Sequence, residues 1–375
     1  MTSPMGTVMS KTDKATKRKP SFFVRLLRLT FLLGVLAVVA AGALGYKAWE
    51  FLHQPHQGYE DERLIRVEPG TGASAILRQL EREGVLPDAR IARLYLIHVL
   101  KDPSLKAGEY RFDEPLHTPA VLDRLIRGEV VTYPVTLIEG LTLDEAAATI
   151  AAAGFGDQDV LRREMDRVEL IQDLDPEANN LEGYLYPDTY HFARGTTEEE
   201  IIATLLRTFR KKFSAEVEPL LDGYDGTMRE LVTLASIIEK EAQIDEERPT
   251  VSSVYTNRLR IGMPLQADPT TIYALKLLGT WNGNLRRPDL RMDHPYNTYV
   301  HGGLPPGPIC SPGVKSMAAA VVPAETPYLY FVSRNDGTHV FARSLREHNR
   351  NVDVWQKQYW RRKWAEERRA RESGE

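Results

Sequence analysis

From Leu29 to Tyr46 the chain reads LTFLLGVLAVVAAGALGY, 18 residues without a charged side chain. As a helix this run is ~27 Å long, about one hydrocarbon core, so it decides where the rest of the chain must fold. Arg25 and Arg28 precede it and Lys47 follows. Residues 1–28 carry seven Lys/Arg (Lys11, Lys14, Lys17, Arg18, Lys19, Arg25 and Arg28) against one acid, Asp13, a net +6. An excess of Lys/Arg on the N-terminal side places that end in the cytoplasm. A cleaved signal peptide is the competing reading, but its apolar region is normally shorter, and AGALGYKAW offers a weak small-residue cleavage pattern. The expectation is a cytoplasmic basic tail over 1–28, disordered over 1–20, a single transmembrane helix over 29–47, and a body outside the cytoplasm.

The whole chain of 375 residues has a net charge of −4, so the part after residue 28 stands at −10. A mildly acidic body argues against nucleic acid as a partner. With 42% hydrophobic and 27% charged residues, the body is ordinary globular protein with room for one small and one larger domain. The one cysteine, Cys310, rules out an internal disulfide and lies in a Pro/Gly-rich loop, PPGPICSPG, without a neighbouring base. No CxxC, HExxH or His/Cys cluster is present, so no metal or cofactor is expected.

The body centres on Leu231 to Leu275, LVTLASIIEKEAQIDEERPTVSSVYTNRLRIGMPLQADPTTIYAL. The pattern is a helix, a break at Pro249, a second helix, a turn and a polar QADPTT segment before a further helix. Leu231, Leu234, Ala235, Ile238 and Ala242 form one apolar stripe at helical spacing. At ~100° per residue, Glu241 lies about 60° off the stripe centre, Glu239 further out, and Lys240 almost opposite. Glu241 is therefore the carboxyl expected to be half buried. Burial disfavours the anion, and a carboxylic acid protonated near neutrality can act as a general acid. An ordinary charged helix face is the plainer alternative.

Before this stretch, His53 to Asp61 reads as a linker. A strand at Leu64–Val67, a Pro69-Gly70 turn, a helix capped by Ser74 and a stop near Gly84 follow. The same grammar recurs about 70 residues on, with a strand at Pro134–Ile138, Gly140, and a capping box Thr142…Glu145 opening the next helix. Between them lie a helix, IARLYLIHVL, and a strand, LKAGEYRF. The pattern resembles LysM carbohydrate-binding modules, although two unrelated β-α units would give it too. LEGYLYPDTYHF places Tyr184, Tyr186 and Tyr190 on one parity beside Glu182 and Asp188, a composition suited to sugar rings and hydroxyls. Asp268 before Pro269 either caps the following helix or faces a ligand. TPYLYFVSR and THVFARS read as a hairpin turning at Asn335-Asp336-Gly337, and a long charged helix ends the chain.

VEPGTGASAI, KAGEYRF, EGYLYPDTY, LASIIEKEA, SVYTNRLRIGMPLQADPTTIYAL, YNTY, GLPPGPI and TPYLYFV, in this order, resemble the MltG (YceG-like) family of endolytic murein transglycosylases. The resemblance runs from the apolar run to His348; the long basic tail and the C-terminal extension depart from it. It implies an α+β protein with an N-terminal transmembrane helix, a small LysM-like α/β module over 60–134, a mixed α/β catalytic domain over 135–350 and a charged C-terminal helix over 351–375. It implies a bacterial inner-membrane lyase that cuts MurNAc-GlcNAc bonds within nascent glycan strands, leaves 1,6-anhydro ends and ends strand growth. The second Glu of EKE, Glu241, is then the catalytic acid. Gln266, Asp268, Thr270, Asn297 and Tyr299, with Tyr184 and Glu182 behind them, are the expected substrate-binding residues. Glu239, Glu182, Asp188 and Asp268 are the carboxylates that a hydrolase would need as a partner to Glu241. The expected partners are glycan strands, the membrane and peptidoglycan synthases. A non-catalytic peptidoglycan-binding scaffold is the alternative, distinguished by its having no need of a protonated Glu241 in an apolar wall.

Overall fold

The computed structural model describes residues 22–373; most of the basic tail, Lys11 to Lys19 included, lies outside the described residues. The chain divides into two compact units between Val130 and Val131.

The first unit opens with α1 (Phe22–His53), a helix of 32 residues. Its segment Arg25–His53 is long and apolar enough to cross a membrane by length and composition. The helix outlasts the uncharged run at both ends. The expected linker is also more ordered than its composition suggests. His56 bridges to Leu116, Gly58 N–H donates to Gly84 O, and buried Tyr59 donates its hydroxyl to Glu114 O at 3.1 Å. Then come β1 (Arg63–Val67), α2 (Ala73–Arg82), α3 (Ala89–His98), β2 (Gly108–Phe112) and α4 (Thr118–Arg127). β1 and β2 pair antiparallel, Ile65 opposite Tyr110. Ile65, Val67, Ile76, Leu77, Leu80, Leu96, Tyr110, Phe112 and Leu122 close one core. Gly72, not Ser74, is the N-cap of α2, and no side chain caps it; the tight Gly70 turn starts the helix two residues too early for Ser74 to serve.

The second unit contains β3 (Thr132–Thr136), α5 (Leu143–Ala152), α6 (Gln158–Glu164), β4 (Thr189–Ala193), α7 (Glu198–Glu216), α8 (Met228–Glu241), α9 (Arg248–Arg260), α10 (Asp268–Leu277) and α11 (Val314–Val321). β5 (Tyr330–Ser333), β6 (His339–Ala342), α12 (Leu345–Val352) and α13 (Tyr359–Ser373) complete it, with a π-helical stretch, Asp353–Gln358, joining the last two helices. β3 pairs with β4 and β5 with β6, both antiparallel. Capping boxes start three of the helices, at Thr142/Glu145, Thr197/Glu200 and Thr227/Glu230. Pro249 and Pro269 sit in the first turns of α9 and α10, where a missing N–H costs nothing. α8 runs through the core with Leu231 to Ile238 all buried. Asp268 is not a cap. It is the first residue of α10, Ala267 holds the cap position, and the Asp268 carboxyl is left for another partner.

Candidate active site

Glu241 is the last residue of α8. The apolar stripe carries the helix into the core and delivers this carboxyl, still half-buried, to the wall of a cleft of about 350 Å³. Burial pushes the carboxyl up to about 7. The hydroxyl of Tyr255 on α9, donating to Oε1 at 2.9 Å, holds it down, Asp268 pushes it up, and the Arg258 guanidinium draws it slightly down. The negative end of the α8 dipole acts in the same direction as burial. Oε2 carries no hydrogen bond among the described residues and is not sealed from solvent. The proton of the neutral acid therefore belongs on Oε2, facing the cleft.

Glu239, two residues earlier, is a different kind of carboxylate. The helical wheel turns it outward, yet its side chain is only 6% exposed. Arg248 donates to Oε1 at 2.9 Å and the Gly313 N–H to Oε2 at 2.9 Å. The wheel registers only the face of α8; Arg248 from α9 and the start of α11 cover that face from outside. Bonded to Arg248 and to the Gly313 N–H, Glu239 ties α8 to α9 and to the start of α11. Lys240 is exposed and donates to Gly140 O at 3.1 Å.

Asp268 and Gln266 reach the same cleft from the segment before α10, and Tyr299 from the YNTY loop. Tyr299 donates its hydroxyl to Asp268 Oδ1 at 2.6 Å; burial and this carboxylate push the phenol's pKa up. Gln266 has φ +48, a left-handed conformation that costs free energy for a side chain other than Gly. It is held there by hydrogen bonds from Gln266 N–H to Thr298 O at 3.1 Å and from Ala267 N–H to Thr298 Oγ1 at 3.0 Å. The strain turns an exposed amide side chain toward the cleft.

Other expected site residues lie elsewhere. Thr270 is fully buried, donating to Ala267 O at 2.8 Å and bonded to Thr298 Oγ1 at 2.9 Å. Asn297 is equally buried; it accepts from the Thr271 hydroxyl at 3.0 Å and Tyr299 N–H at 3.1 Å, and donates to Met292 O at 2.7 Å. Both stand behind the cleft and shape it. Tyr184 is a core residue whose hydroxyl donates to Asp175, the partner of Arg229. Tyr186 and Tyr190 are buried too, so this aromatic cluster is packing and offers no sugar platform. Asp188 is exposed and bonds the adjacent Thr189 N–H. Glu182 lines a separate cavity. Cys310 is fully buried, its thiol directed at Ser236 O and pushed up by burial.

Sequence reasoning missed Tyr255 and Arg258, although both lie inside the long motif. Arg258 ties α9 to two neighbours, donating to Leu329 O at 2.6 Å and Leu265 O at 2.7 Å, and lies over the Tyr330 ring. It also missed the contribution of the hairpin, from which Tyr330, Phe331, Val332 and Ser333 wall the cleft. His348 stacks on Tyr330 at 5.3 Å, and desolvation holds its imidazole below the usual value.

Fold and cleft together define a class: a mixed α+β protein with one desolvated acid in an open polar groove, without an ion-pair partner among the described residues. A model described as the YceG-like family matches residues 65–354, and the chain belongs to this family. An endolytic murein transglycosylase of Bacillus subtilis is 32% identical over 305 residues, covering 76% of this chain and 82% of the relative. One of Streptococcus pneumoniae is 28% identical over 360 residues, covering 88% of this chain but 65% of the relative's own length. The crystal structure of a YceG-like protein from Listeria monocytogenes has a TM-score of 0.53 at 32% identity, covering 78% of this chain and 99% of that one.

Proposed function

We propose that this chain is a lytic transglycosylase that cuts within peptidoglycan glycan strands, with Glu241 as its acid and then its base. The observation that carries the reading is the state of Glu241: pushed up to about 7 by burial, held at Oε1 by Tyr255, and free at Oε2. The relatives' printed name, endolytic murein transglycosylase, supplies the substrate class.

Glu241 Oε2–H gives its proton to the glycosidic oxygen between N-acetylmuramic acid and the next N-acetylglucosamine. The C1–O bond breaks with its electron pair going to that oxygen, and C1 gains oxocarbenium character. The muramic C6 oxygen then attacks C1, and its proton passes to the Glu241 carboxylate. No water is consumed, the acid is restored, and the strand ends in a 1,6-anhydro ring. Attack from within the same sugar has an entropy advantage over attack by water. Gln266, Asp268 and Tyr299 hold the sugar at the mouth of the cleft.

The reading extends to placement. α1 serves as a single-pass anchor in the bacterial inner membrane, with the N-terminus cytoplasmic and everything after α1 outside. The first unit serves as a LysM-like glycan grip, and cleavage of nascent strands ends their elongation beside the synthases. The support is the apolar length of α1 and the basic residues before it.

The test uses full-length protein in detergent and its Glu241→Gln variant, each incubated with uncrosslinked peptidoglycan, with strand ends identified by mass spectrometry. New muramic ends lighter by one water than reducing ends, formed only by the unmutated protein, are expected. Reducing ends would mean hydrolysis and overturn the mechanism.

A further inference from the structure

Glu182 lines a second cavity in the same unit, of about 310 Å³, away from the cleft. Its side chain is nine-tenths buried or more, at 4% residue exposure. Oε2 accepts from the Tyr273 hydroxyl at 3.0 Å and from Leu143 N–H at 3.3 Å. Oε1 has no partner at all among the described residues. A buried polar atom left unpaired costs free energy; Oε1 itself is sealed, and the Glu182 side chain that carries it lines a cavity large enough for one sugar ring. Trp281, half-buried, supplies a flat apolar wall to the same cavity.

The charges around the cavity are already matched. Arg162 is bonded to Asp144 at 2.8 Å and to Asp166 at 2.6 Å, and Lys276 to Glu145 at 2.6 Å. A phosphate or carboxylate ligand would have to displace an internal partner, and a cationic one would meet two basic groups. What remains is a flat ring and several hydrogen-bonding groups of both kinds. That combination suits an uncharged, hydroxyl- and amide-bearing ring.

We propose that the Glu182–Trp281 cavity is a second saccharide-binding pocket, which takes an N-acetylhexosamine unit away from the bond being cut. The proposal rests on the glycan-strand reading of the cleft. α10 carries Asp268 of the cleft at one end and Tyr273 and Lys276 of the pocket toward the other. Eight residues of helix separate Asp268 from Lys276, roughly 12 Å, a span that one oligosaccharide can cover. A strand held in the pocket is presented to Glu241 at raised local concentration.

The probe is a short β-1,4-linked N-acetylglucosamine oligomer added to full-length Glu241→Gln protein carrying 5-fluorotryptophan. The chain has five tryptophans, and among the residues lining these two cavities Trp281 is the one present. Its ¹⁹F resonance, assigned by its loss in Trp281→Phe, therefore reports this pocket and not the cleft. A saturable shift of that resonance, weakened roughly tenfold by Tyr273→Phe with Glu182→Gln, is expected. An unmoved Trp281 resonance at oligomer concentrations that saturate binding elsewhere overturns the proposal. The outcome is separable from the cleft reaction: anhydro ends without a Trp281 shift remove the pocket and leave the catalyst, and a shift without anhydro ends does the reverse.

Discussion

Glu241 and Glu182 lie in one unit, and burial pushes both carboxyls up to about 7. They differ in what surrounds them. Glu241 has one donor, Tyr255, and an oxygen open to a groove lined by Asp268, Gln266 and Tyr299. Glu182 has two donors on one oxygen, and its other oxygen is sealed and unpaired. Burial sets the protonation state of both; access decides which of them can pass a proton to a substrate. Glu239 adds the third case, a carboxylate as buried as either but matched to Arg248, and so structural. A perturbed carboxyl is thus a weak sign of a catalyst until its free oxygen is located.

The largest effect that would break this comparison is on cleavage itself. Glu241→Gln lowers the rate of anhydro-end formation by about 10²–10⁴-fold, while Glu182→Gln leaves it within a few-fold. Equal losses in the two variants, measured by the same end analysis, would erase the distinction. The next effect is on stability. Each carboxyl has a folded pKa near 7 against a reference of 4.5, so the native state holds the proton more tightly. The contribution is fully present below about 4.5 and is lost as pH rises through 7. Glu182→Gln therefore gains on the unmutated protein between pH 5 and pH 8, by at most about 3 kcal/mol. Thermal unfolding at the two pH values checks this, and a pH-independent difference would count against a raised Glu182.

Tyr255→Phe is smaller. Its hydroxyl favours the charged form of Glu241, so its loss raises the acid's pKa and moves the basic limb of the pH–rate profile upward. Poorer positioning of the acid lowers the rate by roughly tenfold at the optimum. A basic limb that stays in place would show that Tyr255 does not govern this proton. The smallest effect belongs to Gln266→Gly. Glycine suits φ +48, so stability changes by less than about 1 kcal/mol, while KM for glycan strands rises several-fold through the lost amide. A change in kcat with constant KM would place Gln266 elsewhere in the reaction.

Local rules carried the sequence reading where the cause is local. The apolar stripe of α8, the Thr142–Glu145 capping box and the Asn335-Asp336-Gly337 hairpin turn are all present as read. Glu239 was misjudged because its partners come from nine and 74 residues away, and a helical wheel contains neither. Thr270 and Asn297 are polar and sit beside cleft residues, but polarity does not tell whether a side chain faces the groove or braces the loop behind it. The hairpin wall from Tyr330 to Ser333 was legible as a hairpin and illegible as part of the site, since its docking against α9 depends on Arg258 reaching Leu329 O. Ser74 failed as a cap because the Gly70 turn, not the side chain, sets where α2 begins.

The most direct test is the protonation of Glu241 itself. Full-length protein labelled with ¹³C at the glutamate side-chain carboxyls is titrated by NMR, and the Glu241 resonance is assigned by its absence from Glu241→Gln. A midpoint near 7 without substrate is the expected result. A midpoint near 4.5, the ordinary value for glutamate, would leave the cleft without its acid at neutral pH and contradict the assignment of Glu241 as proton donor.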